Sequence, residues 1–189
     1  MDAKKFLEIV HFSERLKDVT RHAYTSGGRH ESVAEHSWRL CLMAFFLRDE
    51  FPDADMDKVA RMCMIHDLGE IFTGDIPTFL KTKADVDIED DTLDAWVATL
   101  PEATRQEFTA LLVEMNALET QEAKIYKALD KMEAIIQHNE ADLSTWLPLE
   151  YELQFTYGEE NVQFSPWFRE FREEINAISR EKIEKSREG

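Results

Sequence analysis

Met62-Cys63-Met64-Ile65-His66-Asp67-Leu68-Gly69-Glu70 is the stretch on which the fold prediction depends. It begins as an apolar run, typical of a buried helix, and ends with an imidazole and two carboxylates within five positions. Burying such groups is costly unless they are paired or bound to a metal ion. The stretch therefore predicts a helix whose C-terminal end carries His66 and Asp67 to a divalent metal, with the remaining ligands supplied from elsewhere.

The composition is that of a globular protein with one domain. At 189 residues, 43% of them hydrophobic, the chain is long enough to bury a sizeable core. Only 6 glycines and 5 prolines are present, which disfavours a turn-rich all-β fold. The formal net charge of −17 leaves no basic footprint for a nucleic acid polymer. The negative charge does not exclude a small phosphorylated substrate, because a metal and one or two arginines can make the electrostatic potential positive locally.

Three features bear on the compartment. Cys41 and Cys63 both lie in apolar helical runs, which predicts buried free thiols rather than a disulfide. Residues 1–5 lead into an amphipathic pattern instead of the apolar segment of a signal peptide. No apolar stretch is long enough to span a bilayer. We therefore expect a cytoplasmic protein without membrane contact.

Apolar residues recur at helical spacing, and no segment shows the alternation typical of a strand. The predicted fold class is all-α. Residues 17–31 are predicted to form a cationic loop, and residues 71–87 an irregular segment, with the charged run 85–91 read as solvated loop and helix start. Besides the helix that ends at the opening stretch, helices are predicted over residues 3–16, 32–48, 89–99, 102–118, 121–139 and 147–156, and from residue 166 onwards.

Several helix starts have recognisable signals. Ser32 and Glu35 form a capping box that opens the helix to about residue 48. Residues 40–47 of that helix are apolar on every face, which predicts a central, fully buried helix. Asp55 or Asp57 is expected to cap the following helix, and Thr120 the helix over 121–139.

The candidate metal ligands are His36, His66, Asp67 and Asp130. They come from three predicted helices, so a single ion can lie in the cleft between them. Two imidazoles and two carboxylates form a mixed nitrogen and oxygen site that suits Mn²⁺, Fe²⁺, Co²⁺, Ni²⁺ or Zn²⁺. Such a site leaves coordination positions for water or substrate, which catalysis requires.

Further motifs flank these ligands, and together they resemble the HD-domain metal-dependent phosphohydrolases, most closely the 5′-deoxynucleotidase branch. The resemblance implies a single HD domain over residues 1–189, a helical bundle with the metal site in a cleft between helices. Its motifs span about residues 5–140, whereas the helical extension over about 145–187 is assigned to packing or dimerisation. The matching segments are Leu16-Lys17-Asp18-Val19-Thr20-Arg21, Arg29, Glu31-Ser32-Val33-Ala34-Glu35-His36-Ser37, His66-Asp67-Leu68-Gly69-Glu70, Thr73-Gly74-Asp75-Ile76-Pro77, Glu122-Ala123-Lys124 and Lys127-Ala128-Leu129-Asp130-Lys131.

The resemblance also implies roles for individual residues. The four candidate ligands would bind one divalent metal, and a water activated by it would attack the phosphorus of a (deoxy)nucleoside 5′-monophosphate. Arg21 would hold the phosphate, with His22, Asp75 and Pro77 also in the substrate site. Glu70 and Asp75 would orient water and handle protons, because the leaving alkoxide needs a general acid.

Position 22 departs from the branch. The branch often has an aromatic residue, typically Trp, directly after the loop arginine, where it helps to reject ribonucleotides. His22 is a smaller flat ring that can carry charge, so the preference between deoxyribose and ribose is open, as are the base preference and the native metal. Two other functions stay open: an enzyme of the same fold acting on a triphosphate, phosphonate or cyclic nucleotide, and a non-catalytic nucleotide- or metal-binding module.

Other polar residues have weaker assignments. Arg29 is expected either to hold phosphate or to pair with Glu31 or Glu35, with the structural role favoured. Glu122 is either an acid stabilised by a helix N-terminus or a site residue. No site role is assigned to the remaining histidines, which are His11, His30 and His138.

A homodimer is expected from the C-terminal part of the chain. The terminal helix is strongly amphipathic, and Trp146 and Trp167 lie nearby in sequence. Dimers are also common in the family that the chain resembles. These residues are therefore predicted to form the interface.

Overall fold

A computed structural model describes residues 1–188 and shows a helical bundle with one small hairpin. The all-α prediction is confirmed. No helix in this range is both long and apolar enough to cross a membrane. In chain order the elements are α1 (Ala3–Glu14), β1 (Thr20–Tyr24), β2 (His30–Ser32), α2 (Val33–Phe46), α3 (Met56–Ile65), α4 (Glu70–Thr73), α5 (Lys83–Val97), α6 (Glu102–Ala117), α7 (Gln121–Glu140), α8 (Glu150–Thr156) and α9 (Pro166–Glu188).

Side-chain caps fix the starts of the helices that carry the site. The side chain of Ser32 and that of Glu35 each accept a hydrogen bond from the other's backbone N–H, so the predicted capping box of α2 is confirmed. Asp55, rather than Asp57, caps α3 by accepting an N–H from the first turn at 2.9 Å. Thr120 caps α7 in the same way at 3.2 Å. Each cap satisfies a donor that has no partner within its helix.

The prediction of a loop over residues 17–31 is wrong, because β1 and β2 pair there as an antiparallel hairpin. The Thr25 N–H donates to the Arg29 carbonyl at 2.7 Å across the turn. Gly28 has a φ of 81°, a conformation that favours glycine. The strands are short and polar, so they lack a clear alternation of apolar residues. The hairpin places Arg21 and His22 on successive positions of β1.

The start of α5 also differs from the prediction. A helix was expected from residue 89, but α5 begins at Lys83, so the charged run 85–91 lies within the helix. Thr82 and Asp85 form a second capping box, in which the Thr82 hydroxyl accepts the N–H of Asp85. This box supplies the start signal that the sequence interpretation overlooked.

Replacing Thr82 with alanine is expected to lower the free energy of unfolding by about 1 kcal/mol, because α5 loses its N-cap. Urea unfolding followed by circular dichroism measures this change. Hydrogen bonds from Thr82 lower the pKa of Asp85. Ionised Asp85 therefore stabilises the fold above its unfolded pKa of about 4, and this stabilisation is lost as the pH falls through its lower folded pKa. The difference in free energy of unfolding between Thr82→Ala and the unmodified chain should consequently shrink in acid.

The matched control is Thr109→Ala, because Thr109 is an exposed residue inside α6. It should change the free energy of unfolding by less than about 0.5 kcal/mol. Equal stabilities of Thr82→Ala and the unmodified chain at pH 7 would contradict the assigned cap.

The core is organised around α7, which contacts β1, α2, α3, α6 and α9. Leu129 of α7 is fully buried in one apolar cluster with Leu40 of α2, Met62 of α3 and Phe168 of α9. A second cluster, which includes Leu93, packs beneath α4 and α5. The opening stretch therefore contains the last turn of α3, which is buried at Met62 and Cys63 but exposed at Met64, so the predicted helix is only partly buried. The helix ends at Ile65, next to α2 and α7.

The prediction that α2 is buried on every face is wrong. Phe45 is 61% exposed and Phe46 is 72% exposed, and Leu42 is also exposed. The reason is that α2 packs against α3 and α7 on one side only. Trp146 is buried within the chain, so the prediction that it forms an interface is wrong. Trp167 packs largely against the core and therefore offers little surface to a partner.

Candidate active site

The four predicted metal ligands converge where α2, α3 and α7 meet. His36 is in the first turn of α2, His66 and Asp67 directly follow α3, and Asp130 is midway along α7. His66 Nε2 lies 2.9 Å from Asp67 Oδ2 and 3.9 Å from Asp130 Oδ1. His36 Nε2 lies 3.5 Å from the same Asp130 oxygen. The Nε2 atoms and the carboxylate oxygens therefore surround one point in the cleft.

The orientation of both histidines suits metal binding. His66 Nδ1 lies 2.9 Å from the Cys63 carbonyl, and His36 Nδ1 is hydrogen-bonded to the Glu133 carboxylate. Each partner is an acceptor, so it favours a proton on Nδ1 and leaves Nε2 as the ring atom that a metal would bind. Both Nε2 atoms are buried, and within residues 1–188 neither makes a hydrogen bond of suitable geometry, although that of His66 lies 2.9 Å from Asp67 Oδ2. Buried polar atoms without partners are costly, and a divalent cation would satisfy both.

The carboxylates of the cluster are held in their ionised form. Burial acts to raise the pKa of Asp67, but His66 and His36 outweigh it, and the pKa lies below its ordinary value. Burial is likewise outweighed at Asp130, where Lys127 and Lys131 hold the pKa well below its ordinary range. Both ammonium groups contact Asp130 Oδ2, at 3.0 and 3.1 Å. Its Oδ1 atom is left facing the histidines.

Arg21 extends from β1 to the edge of the cluster. Its Nη1 atom lies 3.7 Å from Asp67 Oδ2, and its Nε atom lies 3.2 Å from Glu31 Oε2. Burial and the neighbouring Glu133 raise the pKa of Glu31 to about 7. The sequence interpretation missed Glu31 and Glu133 as supports of the site, because only the fold brings β2 and the second half of α7 against Arg21 and His36.

Glu70 and Asp75 follow the His66–Asp67 pair in the chain, in α4 and in the segment directly after it. Glu70 begins α4, is 5% exposed, and has no hydrogen-bond partner for Oε2 among the described residues. Burial, followed by Asp67 and Asp75, raises the pKa of Glu70 to about 10, so its carboxyl group is protonated at neutral pH. Asp75 Oδ2 accepts the backbone N–H of His22 at 3.2 Å.

A cavity of about 200 Å³ adjoins this cluster, and all four predicted substrate residues, Arg21, His22, Asp75 and Pro77, line it. Two predictions need correction here. His138 lines the cavity although it was assigned no site role, and the extension after residue 145 forms a wall instead of serving only packing. The residues of this wall are Glu150, Leu153, Gln154 and Tyr157.

Two residues with open assignments have structural contacts outside the cluster. Arg29 forms two contacts with the carboxylate of Glu35, at 2.5 and 2.8 Å, which agrees with the favoured alternative. Glu122 accepts the backbone N–H of Asp55 at 3.1 Å and ties α7 to the start of α3. Both residues therefore support the helices that carry the ligands.

Comparison with known proteins identifies the family. A model of the HD domain family matches residues 13–172. The chain belongs to the HD domain family. The human protein named 5′-deoxynucleotidase HDDC2 is 30% identical over 146 residues, which cover 73% of this HD domain chain and 69% of the human protein. The predicted resemblance is therefore confirmed at the level of the family and its named relatives.

Two solved structures share the architecture. A protein from Magnetospirillum magnetotacticum MS-1, named as a predicted metal-dependent phosphohydrolase, superimposes with a TM-score of 0.80 at 25% identity, covering 97% of this chain and 96% of that one. The cyanophage S-2L HD phosphohydrolase DatZ, solved with dA and one catalytic Zn²⁺ ion, has a TM-score of 0.57 at 21% identity, covering 93% and 96%. The second likeness concerns the fold alone.

Proposed function

We propose that this HD domain is a metal-dependent phosphomonoesterase that hydrolyses (deoxy)nucleoside 5′-monophosphates to the nucleoside and phosphate. The observation that carries the proposal is the meeting of two unpartnered imidazole nitrogens, two carboxylates and an arginine beside a cavity. The name of the human relative, a 5′-deoxynucleotidase, and that of the Magnetospirillum neighbour, a metal-dependent phosphohydrolase, support it.

We assign the metal to His36, His66, Asp67 and Asp130. Their mixed nitrogen and oxygen donors suit Mn²⁺, Fe²⁺, Co²⁺, Ni²⁺ or Zn²⁺. When bound, such a cation supplies Lewis acidity, which lowers the pKa of water and polarises a phosphoryl oxygen. The protein's own contribution is to hold the four donors apart from bulk water and in fixed orientation, through Glu133 and the lysines beside Asp130.

Arg21 is the phosphate-binding residue in this proposal. Its guanidinium presents parallel N–H donors that match a phosphate geometrically, and Nη1 already reaches the edge of the metal cluster. Glu31 contacts the Nε side and so directs the two terminal nitrogens towards the cleft. A phosphate held there has the cavity as the space for the rest of the molecule.

Glu70 is assigned as the general acid. In hydrolysis the bond between phosphorus and the 5′ oxygen breaks while a water oxygen bonds to phosphorus. The leaving oxygen needs a proton, and the raised pKa of Glu70 keeps that proton available at neutral pH. Asp75, held by the N–H of His22, is the nearby carboxylate that can accept a proton from the attacking water.

The test is phosphate release from a panel of ribo- and deoxyribonucleoside 5′-monophosphates, with the protein loaded with Co²⁺, Mn²⁺ or Zn²⁺. Turnover of 5′-monophosphates but not of 3′-monophosphates is expected. Absence of turnover on every monophosphate with metal bound would overturn the proposal. The panel also includes triphosphates, phosphonates and cyclic nucleotides, because preferred cleavage of one of these identifies a different substrate class. A nucleotide that binds but is never cleaved indicates a non-catalytic module.

Replacing Glu133 with glutamine is expected to weaken metal binding by about 10- to 100-fold, because the His36 imidazole loses the carboxylate that orients it. Competition with a chromophoric chelator measures the affinity. The control is Glu140→Gln on the same helix, where the carboxylate pairs with Arg39 near the surface and metal affinity should not change. An unchanged affinity in Glu133→Gln would show that this carboxylate does not support the ligand.

We also propose a homodimer that covers the exposed face of α2. Trp38, Leu42 and Phe45 share one face of this helix, with Phe46 beside them. The total accessible surface is 10681 Å², whereas a compact monomer of 22.1 kDa exposes about 9,300 Å². The excess exceeds the roughly 800 Å² that each partner contributes to a standard interface.

Light scattering on the intact chain tests the dimer. A mass of about 44 kDa, twice 22.1 kDa, is expected, and Phe46→Asp should reduce it to that of a monomer. The control Ile178→Asp alters an exposed apolar residue of α9 and should leave the mass unchanged. A monomeric unmodified chain would refute the dimer.

We further propose that the chain forms one domain and works in the cytoplasm. Phe168 and Ile175 of α9 lie in the same apolar cluster as the helices that carry the metal ligands, which supports a single domain. Cys41 and Cys63 are both free thiols, which supports a reducing compartment.

A further inference from the structure

One glutamate and two histidines form a cluster at the end of the cavity that α8 lines. Glu150 is 4% exposed, and its Oε2 atom accepts the N–H of Leu147 at 2.6 Å. Its Oε1 atom lies 3.0 Å from His22 Nε2 and 3.5 Å from His138 Nε2. All three side chains line the cavity. We refer to Glu150, His22 and His138 as the acid–imidazole cluster.

Packing alone does not account for the acid–imidazole cluster. Its members come from β1, α7 and the start of α8, so three separate elements bring polar groups to one apolar region. The neighbouring walls of the cavity are lined by Ala23, Ile135 and Leu153. A buried carboxylate costs free energy that an apolar side chain of similar size would not. The cluster also lies outside the metal ligands and the assigned general acid.

Once both imidazoles donate to Glu150, the atoms of the cluster that remain available for an occupant are hydrogen-bond acceptors. A carboxylate can only accept, so Glu150 favours a proton on each Nε2 that faces it. A neutral imidazole then has an acceptor lone pair on Nδ1. Burial lowers the pKa of His138, although Glu150 opposes this, so its ring is neutral near pH 7. In residues 1–188, no protein group hydrogen-bonds to Nδ1 of His22 or His138.

We propose that the acid–imidazole cluster is a recognition subsite for the nucleoside and selects occupants that present a hydrogen-bond donor to it. Two parts of a nucleoside carry such donors, the exocyclic amine of the base and the hydroxyls of the sugar. The occupant's identity as a nucleoside rests on the proposed function. The cluster is a specificity determinant and takes no part in breaking the phosphorus–oxygen bond.

Calorimetric titration with nucleosides tests this without requiring catalysis. The amine is varied by comparing 2′-deoxyadenosine with purine 2′-deoxyriboside, which lacks it. The hydroxyls are varied by comparing 2′-deoxyadenosine with adenosine and with 2′,3′-dideoxyadenosine. At least one pair should show a preference of about tenfold or more for the member with the additional donor, and that pair identifies which part of the nucleoside is recognised.

Glu150→Gln and His138→Phe should reduce that preference to within about threefold by weakening the donor-bearing nucleoside. The control Glu152→Gln changes an exposed acid of the same helix and should leave the preference unchanged. Circular dichroism checks the fold of each variant. If Glu150→Gln does not fold, His138→Phe decides, because it leaves the α8 carboxylate and its bond to Leu147 in place.

No preference in any pair, or an unchanged preference in the folded variants, would overturn the subsite. The same pairs are then assayed as 5′-monophosphates. Selective nucleoside binding without any cleavage would contradict the phosphatase proposal and leave the subsite standing. Cleavage without selectivity would contradict the subsite and leave the phosphatase proposal standing.

Discussion

Asp67→Ala is expected to abolish bound metal and phosphatase activity together. In the folded chain Asp67 Oδ2 is 2.9 Å from His66 Nε2 and 3.8 Å from His36 Nε2, so its removal takes away a carboxylate oxygen that lies close to both imidazoles. Metal content should fall from about one ion per chain to below about one tenth, and kcat by about 10³-fold or more, since the lost Lewis acid contributes several kcal/mol.

Elemental analysis of the purified protein and phosphate release from the preferred monophosphate measure the two effects. The control is Asp57→Ala, which alters an exposed aspartate of α3 that pairs with Arg48 at the surface. It should retain both metal and activity. Stoichiometric metal in folded Asp67→Ala would show that this residue is not a ligand.

Glu70→Gln is expected to keep the metal but to lower kcat by about 10²- to 10⁴-fold, because the amide cannot donate the proton that the leaving oxygen needs. Among residues 1–188, no group hydrogen-bonds to Glu70 Oε2, and burial, followed by Asp67 and Asp75, raises the pKa of this carboxyl group. Steady-state kinetics and metal analysis on the same preparation separate this outcome from that of Asp67→Ala.

A substrate with a good leaving group distinguishes a general acid from a residue that only orients water. The phenolate of p-nitrophenyl phosphate leaves without protonation, so Glu70→Gln should lose much less activity on it than on a nucleotide. An equal loss on both substrates would assign Glu70 to the attacking water instead. Loss of metal from Glu70→Gln would remove the basis for either role.

Local signals in the sequence were sufficient to predict much of the fold. The caps at Ser32, Asp55 and Thr120 act through hydrogen bonds within a few residues, so their pattern can be recognised without tertiary information. The same holds for the helix that ends at His66. Its apolar run and its adjacent polar groups are both visible in one short segment.

Features that depend on long-range contacts could not be predicted in this way. The exposed face of α2 has the same apolar composition as the buried face, and only the positions of α3 and α7 distinguish them. Glu133 and Glu150 look like ordinary helical acids until packing brings them to His36 and His22. The hairpin was missed because its strands of five and three residues are too short and polar for a periodic signal.

The strand β1 has a consequence for how this enzyme can change over evolutionary time. Successive residues of a strand point to opposite sides, and here Arg21 turns towards Glu31 and Asp67 while His22 turns towards Glu150. The residue that we assign to the phosphate and the residue that we assign to the nucleoside are therefore neighbours in the chain with different polar partners, although both line the cavity. If these assignments hold, we expect substitutions at position 22 to widen or narrow the range of accepted nucleosides while the metal ligands and Glu70 are unchanged.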